Sequence, residues 1–289
     1  MAGDRPVDGM AASARTPEAA VEAALGAPWG SVLRRGWERY GDVVVLQFLG
    51  AAPDAARRTA AAAVGKALGA RAVVEDFGVR PGPTRAPRTR RLWGGDTRCV
   101  HREGGVAFAF DPMKVMFASG NQAERARMGA LDCRGETVVD LFAGIGYLSV
   151  PLAARARAAR VVACEVNPDA HAFLLENVRL NKVEAVVEAV LGDCREVAPR
   201  AVADRVLMGF VHGTAAFLPT ALGCLKPAGG VVHFHEAYPQ ETKFADARRA
   251  LAEAAGDRWS VDIVGAREVK SFAPGIDHIV VDARFTPAA

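Results

Sequence analysis

The residues best placed to do chemistry lie in Val138-Val139-Asp140-Leu141-Phe142-Ala143-Gly144-Ile145-Gly146-Tyr147. A β-branched, apolar run ends on a carboxylate, two glycines follow, and a helical pattern begins. Such a strand–turn–helix junction lets backbone approach a ligand closely, because glycine has no Cβ in the way. The third glycine of a dinucleotide fingerprint is replaced by Ser149, and the chain carries no P-loop. Downstream, Arg160 to Glu165 is a second apolar run ending on a carboxylate. Glu165 follows Gly146 at close to the roughly 20-residue spacing at which an acid meets ribose hydroxyls. A third run, Val186 to Leu191, leads into Gly192-Asp193. Asp140, Glu165 and Asp193 would then share the carboxyl edge of a parallel sheet, where open α/β sheets bind ligands. Acids without a pyrophosphate cradle suit a nucleoside that carries no phosphates, and S-adenosylmethionine is the obvious candidate. The alternative is a ligand-free α/β domain whose acids cap strand ends.

The elements that position these residues must come from a chain of 289 residues, which allows one large or two modest domains, and 51% hydrophobic residues are enough for a real core. The net charge is only +3, so any nucleic-acid surface must be local. Five scattered cysteines with no C-x-x-C indicate reduced, cytoplasmic thiols rather than disulfides or a zinc site. No signal peptide and no membrane-length apolar run is evident.

Residues 1–15 are small and polar and are expected to be disordered. Thr16-Pro17-Glu18 starts a helix, Trp29 to Tyr40 has the spacing of a second, and Asp42 to Phe48 reads as a strand. Pro53-Asp54 opens an alanine-rich helix to about Leu68, and Arg71 to Phe77 is another strand. A small α/β domain over 16–110 is expected, with a catalytic domain over 111–289. Segment 80–102 holds Arg80, Arg85, Arg88, Arg90, Arg91, Arg98 and Arg102 against one acid, Asp96. An extended, arginine-rich segment suits phosphate contacts, and Trp93 within it could stack on a base. It would serve equally as a solvated linker whose Trp93 packs on a domain. Ser119 and Asn121 precede a helix from Gln122 to about Leu131. Asn121 with Glu124 has capping-box spacing, and such a helix start is either a place for a ligand carboxylate or a plain cap. Asp204 to Val211, Val231 to Glu236, Trp259 to Val269 and His278 to Phe285 complete a seven-stranded sheet with an antiparallel strand at its end, and Thr214 caps the helix after the fourth strand. His233 and His235 share a strand face, but no third ligand has the right spacing, so no metal is expected.

Together these residues resemble a known family. From about Arg80 onward the chain is similar to the archaeal and eukaryotic wybutosine-synthesising enzymes that transfer the aminocarboxypropyl group of S-adenosylmethionine to tRNA. They are relatives of the tRNA guanine N1-methyltransferases that act beside the anticodon. The resemblance is carried by Phe110-Asp111, Phe117 to Arg125, Asp140 to Gly146, Cys164 to Pro168, Gly192-Asp193, Val232 to Glu236, Ala273 to Gly275 and Val280 to Asp282. The methyltransferases place proline-arginine where this chain has Ser119-Gly120, and an asparagine-proline motif where it has Gly209-Phe210-Val211-His212. Both departures resemble the aminocarboxypropyl branch. The resemblance implies a class I methyltransferase-like, Rossmann-like seven-stranded sheet beside a small N-terminal α/β domain. It implies transfer to 4-demethylwyosine in tRNA for phenylalanine, with release of methylthioadenosine; apart from the resemblance, the protein is expected to be cytoplasmic and monomeric. By matching position, Glu165 would accept from ribose hydroxyls, and Asp193 from the adenine amino group beside the Cys194 backbone. Asp140, Gly144 and Gly146 would form the turn against the nucleoside. Phe117, Ser119 and Arg125 would line the methionine side, Arg125 as a carboxylate partner. Arg85, Arg88, Arg90 and Arg91 would meet tRNA. No general base is assigned; His212 lies at the right edge. The remaining alternatives are a guanine N1-methyltransferase and a non-catalytic tRNA-binding protein.

Overall fold

The computed structural model describes residues 16–27, 29–33, 36–50, 52–78, 82 and 84–288. The expectation of disorder over 1–15, and Arg80, lie outside these residues. Internal contacts divide the chain into one unit of Met1–His101 with Phe110–Phe117 and another of Arg102–Ala109 with Ala118–Ala289.

The first unit begins with α1 (Pro17–Leu25), capped by Thr16, whose hydroxyl accepts from the Ala19 amide at 3.3 Å. The expected helix over Trp29 to Tyr40 does not form. A short 3-10 turn spans Trp29–Val32, Gly36 turns the chain at φ +95°, and Glu38–Tyr40 is strand β1. Hairpin pairing overrides the helical spacing: Tyr40 faces Val43 of β2 (Val43–Leu46) across Gly41-Asp42. α2 (Asp54–Ala67) crosses over to β3 (Ala72–Asp76), which is parallel to β2, and β4 (Thr89–Gly94) closes a sheet of order β1-β2-β3-β4. Six residues of the arginine-rich segment, Arg90 and Arg91 among them, therefore form an ordered strand. Trp93 packs on the helix: a Cβ on Gly65 of α2 would lie 2.2 Å from its ring. That ring belongs to this unit's core, as in the packing alternative. β5 (Cys99–Glu103) and β6 (Val106–Phe110) form a two-stranded sheet.

The second unit continues with α3 (Gln122–Gly129), β7 (Thr137–Asp140), α4 (Ser149–Arg155), β8 (Arg160–Glu165), α5 (Pro168–Leu180), β9 (Val187–Leu191), α6 (Cys194–Val197) and β10 (Arg205–Met208). It ends with α7 (Leu218–Cys224), β11 (Gly230–Pro239), α8 (Lys243–Ala255), β12 (Trp259–Ala273) and β13 (Ile276–Pro287). The seven strands run in the order β12-β13-β11-β10-β7-β8-β9. β9, β8, β7, β10 and β11 are mutually parallel. The reversed strand is not at the rim of the sheet: β13 lies between β11 and β12 and is antiparallel to both. A two-residue Pro274-Gly275 connection joins β12 to β13, so one arm of that hairpin must run backward. The arm carrying buried Ile279, Val281, Ala283 and Phe285 takes the inner place. Strand order reverses between β7 and β10, the switch point where such sheets open a crevice.

Candidate active site

At the carboxyl end of β7, Asp140 is only 1% exposed. Its Oδ1 accepts from the Phe142 amide at 3.1 Å and its Oδ2 from the Ser149 hydroxyl at 2.5 Å. Burial pushes its carboxyl up to about 6, against the pull of those two bonds. Asp140 thus braces the turn from beneath, tying the strand end to the first residue of α4.

The turn itself needs its glycines. Gly144 has φ +59° and Gly146 φ +95°. A Cβ on Gly144 would meet the Tyr147 ring at 2.4 Å, and one on Gly146 would meet Val150 at 2.5 Å and Leu174 at 3.0 Å. Glu165, at the end of β8, holds this turn. Its Oε2 accepts from the Gly144 amide at 2.7 Å and its Oε1 from the Asn167 amide at 2.7 Å. Burial raises its pKa, and these amides counter the rise. A carboxylate has about four acceptor positions, so ribose hydroxyls can still be received. Next along the rim, Asp193 caps α6, accepting from the Arg195 amide at 2.9 Å and pairing with the Arg195 guanidinium at 2.5 Å. That guanidinium holds its carboxyl below the usual range. Cys194 is buried, and its thiol is pushed up to about 12, so only its backbone is suited to polar contact.

Two features of the site escaped the sequence. Asn177 in the last turn of α5 and Asn181 at its C-cap pair with the edge of β6: Asn177 Oδ1 accepts from Ala109 N at 2.6 Å, and Asn181 Nδ2 donates to Ala107 O at 2.7 Å. Asn177 also donates to the Ile145 carbonyl at 2.9 Å, fixing the glycine turn from behind. The i, i+4 asparagine spacing was the available signal. Second, three half-buried rings meet at the ends of β7 and β10. Phe142 stacks on Phe210 (5.2 Å, 23°) and meets Phe217 edge-on at 4.9 Å, and Arg195 lies over Phe217 at 5.2 Å. Such a cluster gives a nucleoside an apolar wall beside the acids.

The Ser119–Asn121 turn is a 3-10 turn, but the capping box is absent. Asn121 makes no capping bond, and Glu124 instead pairs with Arg127 at 2.6 Å, which also binds Asp282 at 3.0 Å. Arg125 is 2% exposed and its guanidinium is paired with Glu103; it donates to the Ala118 carbonyl at 2.8 Å. A protein carboxylate therefore already occupies it, and it braces the turn that carries Ser119. Thr214 does not cap a helix; it is fully buried and Gly213 precedes the 3-10 turn there. His233 donates from Nδ1 to Asp282 at 2.6 Å and receives from Arg205 at 2.7 Å, so both ring nitrogens are used. Among the described residues no metal-binding cluster occurs.

In the first unit, Phe117 stacks on Phe110 (5.0 Å, 11°), and its carbonyl accepts from the Tyr40 hydroxyl at 2.8 Å. Of the arginines expected to meet tRNA, Arg90 is paired with Glu75 (2.8 Å) and Asp54 (3.1 Å), Arg91 donates to the Gly95 carbonyl, and Arg85 is half-buried. Arg88 and Arg91 are the exposed pair.

A family profile described as the TRM5/TYW2 methyltransferase domain matches residues 99–264. The tRNA(Phe) (4-demethylwyosine(37)-C(7)) aminocarboxypropyltransferase of Pyrococcus horikoshii is 36% identical over 88% of this chain and 90% of its own length. The crystal structure of P. horikoshii TYW2 in complex with MeSAdo superposes with a TM-score of 0.81 at 32% identity, covering 93% of this chain and 99% of that one. That of M. jannaschii TYW2 in complex with AdoMet gives 0.72 at 32% identity, covering 87% and 100%. Among curated relatives, the chain spans only about a quarter of the length of the Arabidopsis thaliana tRNA wybutosine-synthesizing protein 2/3/4, at 37% identity over 86% of this chain and 26% of that protein. A profile match across more than half of the sequence and a relative aligned over nine-tenths of its length agree: this chain belongs to the TRM5/TYW2 methyltransferase-domain family.

Proposed function

We propose that the protein transfers the 3-amino-3-carboxypropyl group of S-adenosylmethionine to a carbon of 4-demethylwyosine in tRNA(Phe), releasing methylthioadenosine. The choice of the arm over the methyl is carried by one observation. The similar P. horikoshii structure holds MeSAdo, the nucleoside that keeps the methyl after the aminocarboxypropyl arm has left. In this reading the base carbon attacks the carbon of the arm bonded to sulfur, and the C–S bond breaks. Its electron pair returns to sulfur as a neutral thioether, and the attacked base loses a proton. Little new covalent machinery is required; positioning decides which of three carbons reacts. Glu165 takes the ribose, Asp193 and the Cys194 backbone take the adenine edge, and Gly144 and Gly146 let the turn lie close. Ser119, steadied by Arg125, serves the methionine side. Arg88 and Arg91 lead the contacts with tRNA phosphates, with Arg85 and Arg90 behind them. The protein acts as a cytoplasmic monomer; its five cysteines are free and buried, and no described helix is long and apolar enough to cross a membrane.

The test uses S-adenosylmethionine labelled separately in the methyl and in the carboxyl carbon, with tRNA carrying the 4-demethylwyosine precursor. Carboxyl label is expected in the tRNA and methyl label in methylthioadenosine. Methyl label in tRNA would instead establish a methyltransferase, and no label in tRNA a binding protein.

A further inference from the structure

Where β10 ends, the backbone enters the left-handed region three times in succession: Val211 at φ +56°, His212 at φ +83° and Gly213 at φ +83°. Glycine does this freely, but a β-branched valine there is a true outlier. Such a conformation persists only where its surroundings enforce it. Glu236 of β11, 4% exposed, is the enforcer. Its Oε1 accepts from the amides of His212 (2.7 Å), Gly213 (3.0 Å) and Ala237 (2.9 Å), and its Oε2 from that of Ala215 at 3.2 Å. Successive amides converge on an anion, as in a backbone nest, and the anion here is the protein's own carboxylate.

The clasp divides the rings on either side of Val211. Phe210 stacks on Phe142 and so belongs to the glycine turn. His212, exposed, lies nearly parallel to Phe272 of β12, with centroids 6.2 Å apart and planes 16° apart. Phe272 is itself 41% exposed. Two parallel, water-facing rings at the carboxyl end of β10 have the form of a stacking surface for a flat heterocycle. Nucleobases of every kind present such a face. We propose that His212 and Phe272 form the platform on which a nucleobase of the RNA substrate stacks, with Glu236 as the positioning residue that holds His212 in place. This rests on the RNA-modifying reading above.

The probe is an RNA hairpin carrying 2-aminopurine at the target purine, whose fluorescence is quenched by stacking. The parent protein should bind and quench it. His212→Ala and Phe272→Ala should each weaken hairpin binding by about 5- to 150-fold and relieve the quenching. Both should keep S-adenosylmethionine affinity to within about twofold. Glu236→Gln, whose amide nitrogen would oppose one of the clasped backbone donors, should raise KM for tRNA more than it lowers kcat, with S-adenosylmethionine binding retained. Unchanged hairpin affinity and quenching in both ring variants would overturn the platform, as would a loss confined to S-adenosylmethionine. A parent that labels tRNA while its ring variants match it overturns the platform alone. A parent that neither binds the hairpin nor labels tRNA overturns the RNA reading and the platform with it.

Discussion

Glu165 and Gly144 are joined by a 2.7 Å hydrogen bond from the glycine amide to the carboxylate, so the end of one strand sets the turn that follows its neighbour. The same carboxylate is the expected ribose acceptor. Glu165→Ala therefore removes a ligand contact and the support of the glycine turn together. Hydrogen bonds to a charged group are worth about 1.5–3 kcal/mol, so S-adenosylmethionine affinity should fall at least ~10-fold. Glu165→Gln should fall between the parent and Ala, because its NH2 must oppose one backbone donor. Isothermal titration checks both; an Ala variant binding like the parent would remove Glu165 from the site.

Gly146→Ala tests whether the turn tolerates a side chain. Its φ of +95° and the Val150 methyl 2.5 Å from the added Cβ act together. Strain and overpacking each cost about 1–3 kcal/mol, so a loss of roughly 2–6 kcal/mol is expected in denaturant unfolding. A shift of the midpoint within error would show that the turn can rearrange.

The arginines of the first unit should separate by role. Replacing Arg88 and Arg91 with Ala should weaken tRNA binding and reduce the slope of log K against log salt by roughly 1 for each phosphate left without its arginine. Arg90→Ala should mainly destabilise its unit by about 1–3 kcal/mol, because Glu75, 1% exposed, loses one of its two guanidinium partners. Equal salt slopes in parent and double variant would make the segment structural only.

Two buried groups give opposing pH dependence. Burial lowers His235 to about 3, so the unfolded chain binds the extra proton between pH 6.5 and 3, and stability falls as pH drops through that window. Asp140 is raised to about 6, so its contribution is complete below pH 3.8 and is lost as pH rises through about 6. Each contributes a slope near 1.4 kcal/mol per pH unit between about pH 4 and 6, of opposite sign. Relative to the parent, Asp140→Asn should lose stability more steeply on acidification across that range, and His235→Gln less steeply. Chemical denaturation at pH 4, 5 and 6 measures both; parallel curves for all three proteins would contradict these protonation states.

What the sequence disclosed was local. Asn167-Pro168-Asp169 reads as a helix start, and Asn167 does accept from the Asp169 amide at 3.0 Å. The rim acids were visible because each follows an apolar run. Asn121 and Glu124 had equally good spacing, yet Glu124 pairs with Arg127, which is shared with Asp282 far along the chain. Glu236 likewise holds amides more than 20 positions away, and no local pattern reports a carboxylate that caps another strand's exit. That Asp140 is buried beneath its turn was not legible either, because sequence cannot distinguish a strand-end carboxylate above a turn from one below it.

The inner position of β13 has a consequence for biosynthesis. Until Ile276–Pro287 has been made, β11 has an unsatisfied flank carrying Val232, Phe234 and a row of open peptide groups, a template for stray pairing. A nascent or proteolysed chain ending before that segment would be an aggregation hazard even with every rim acid present.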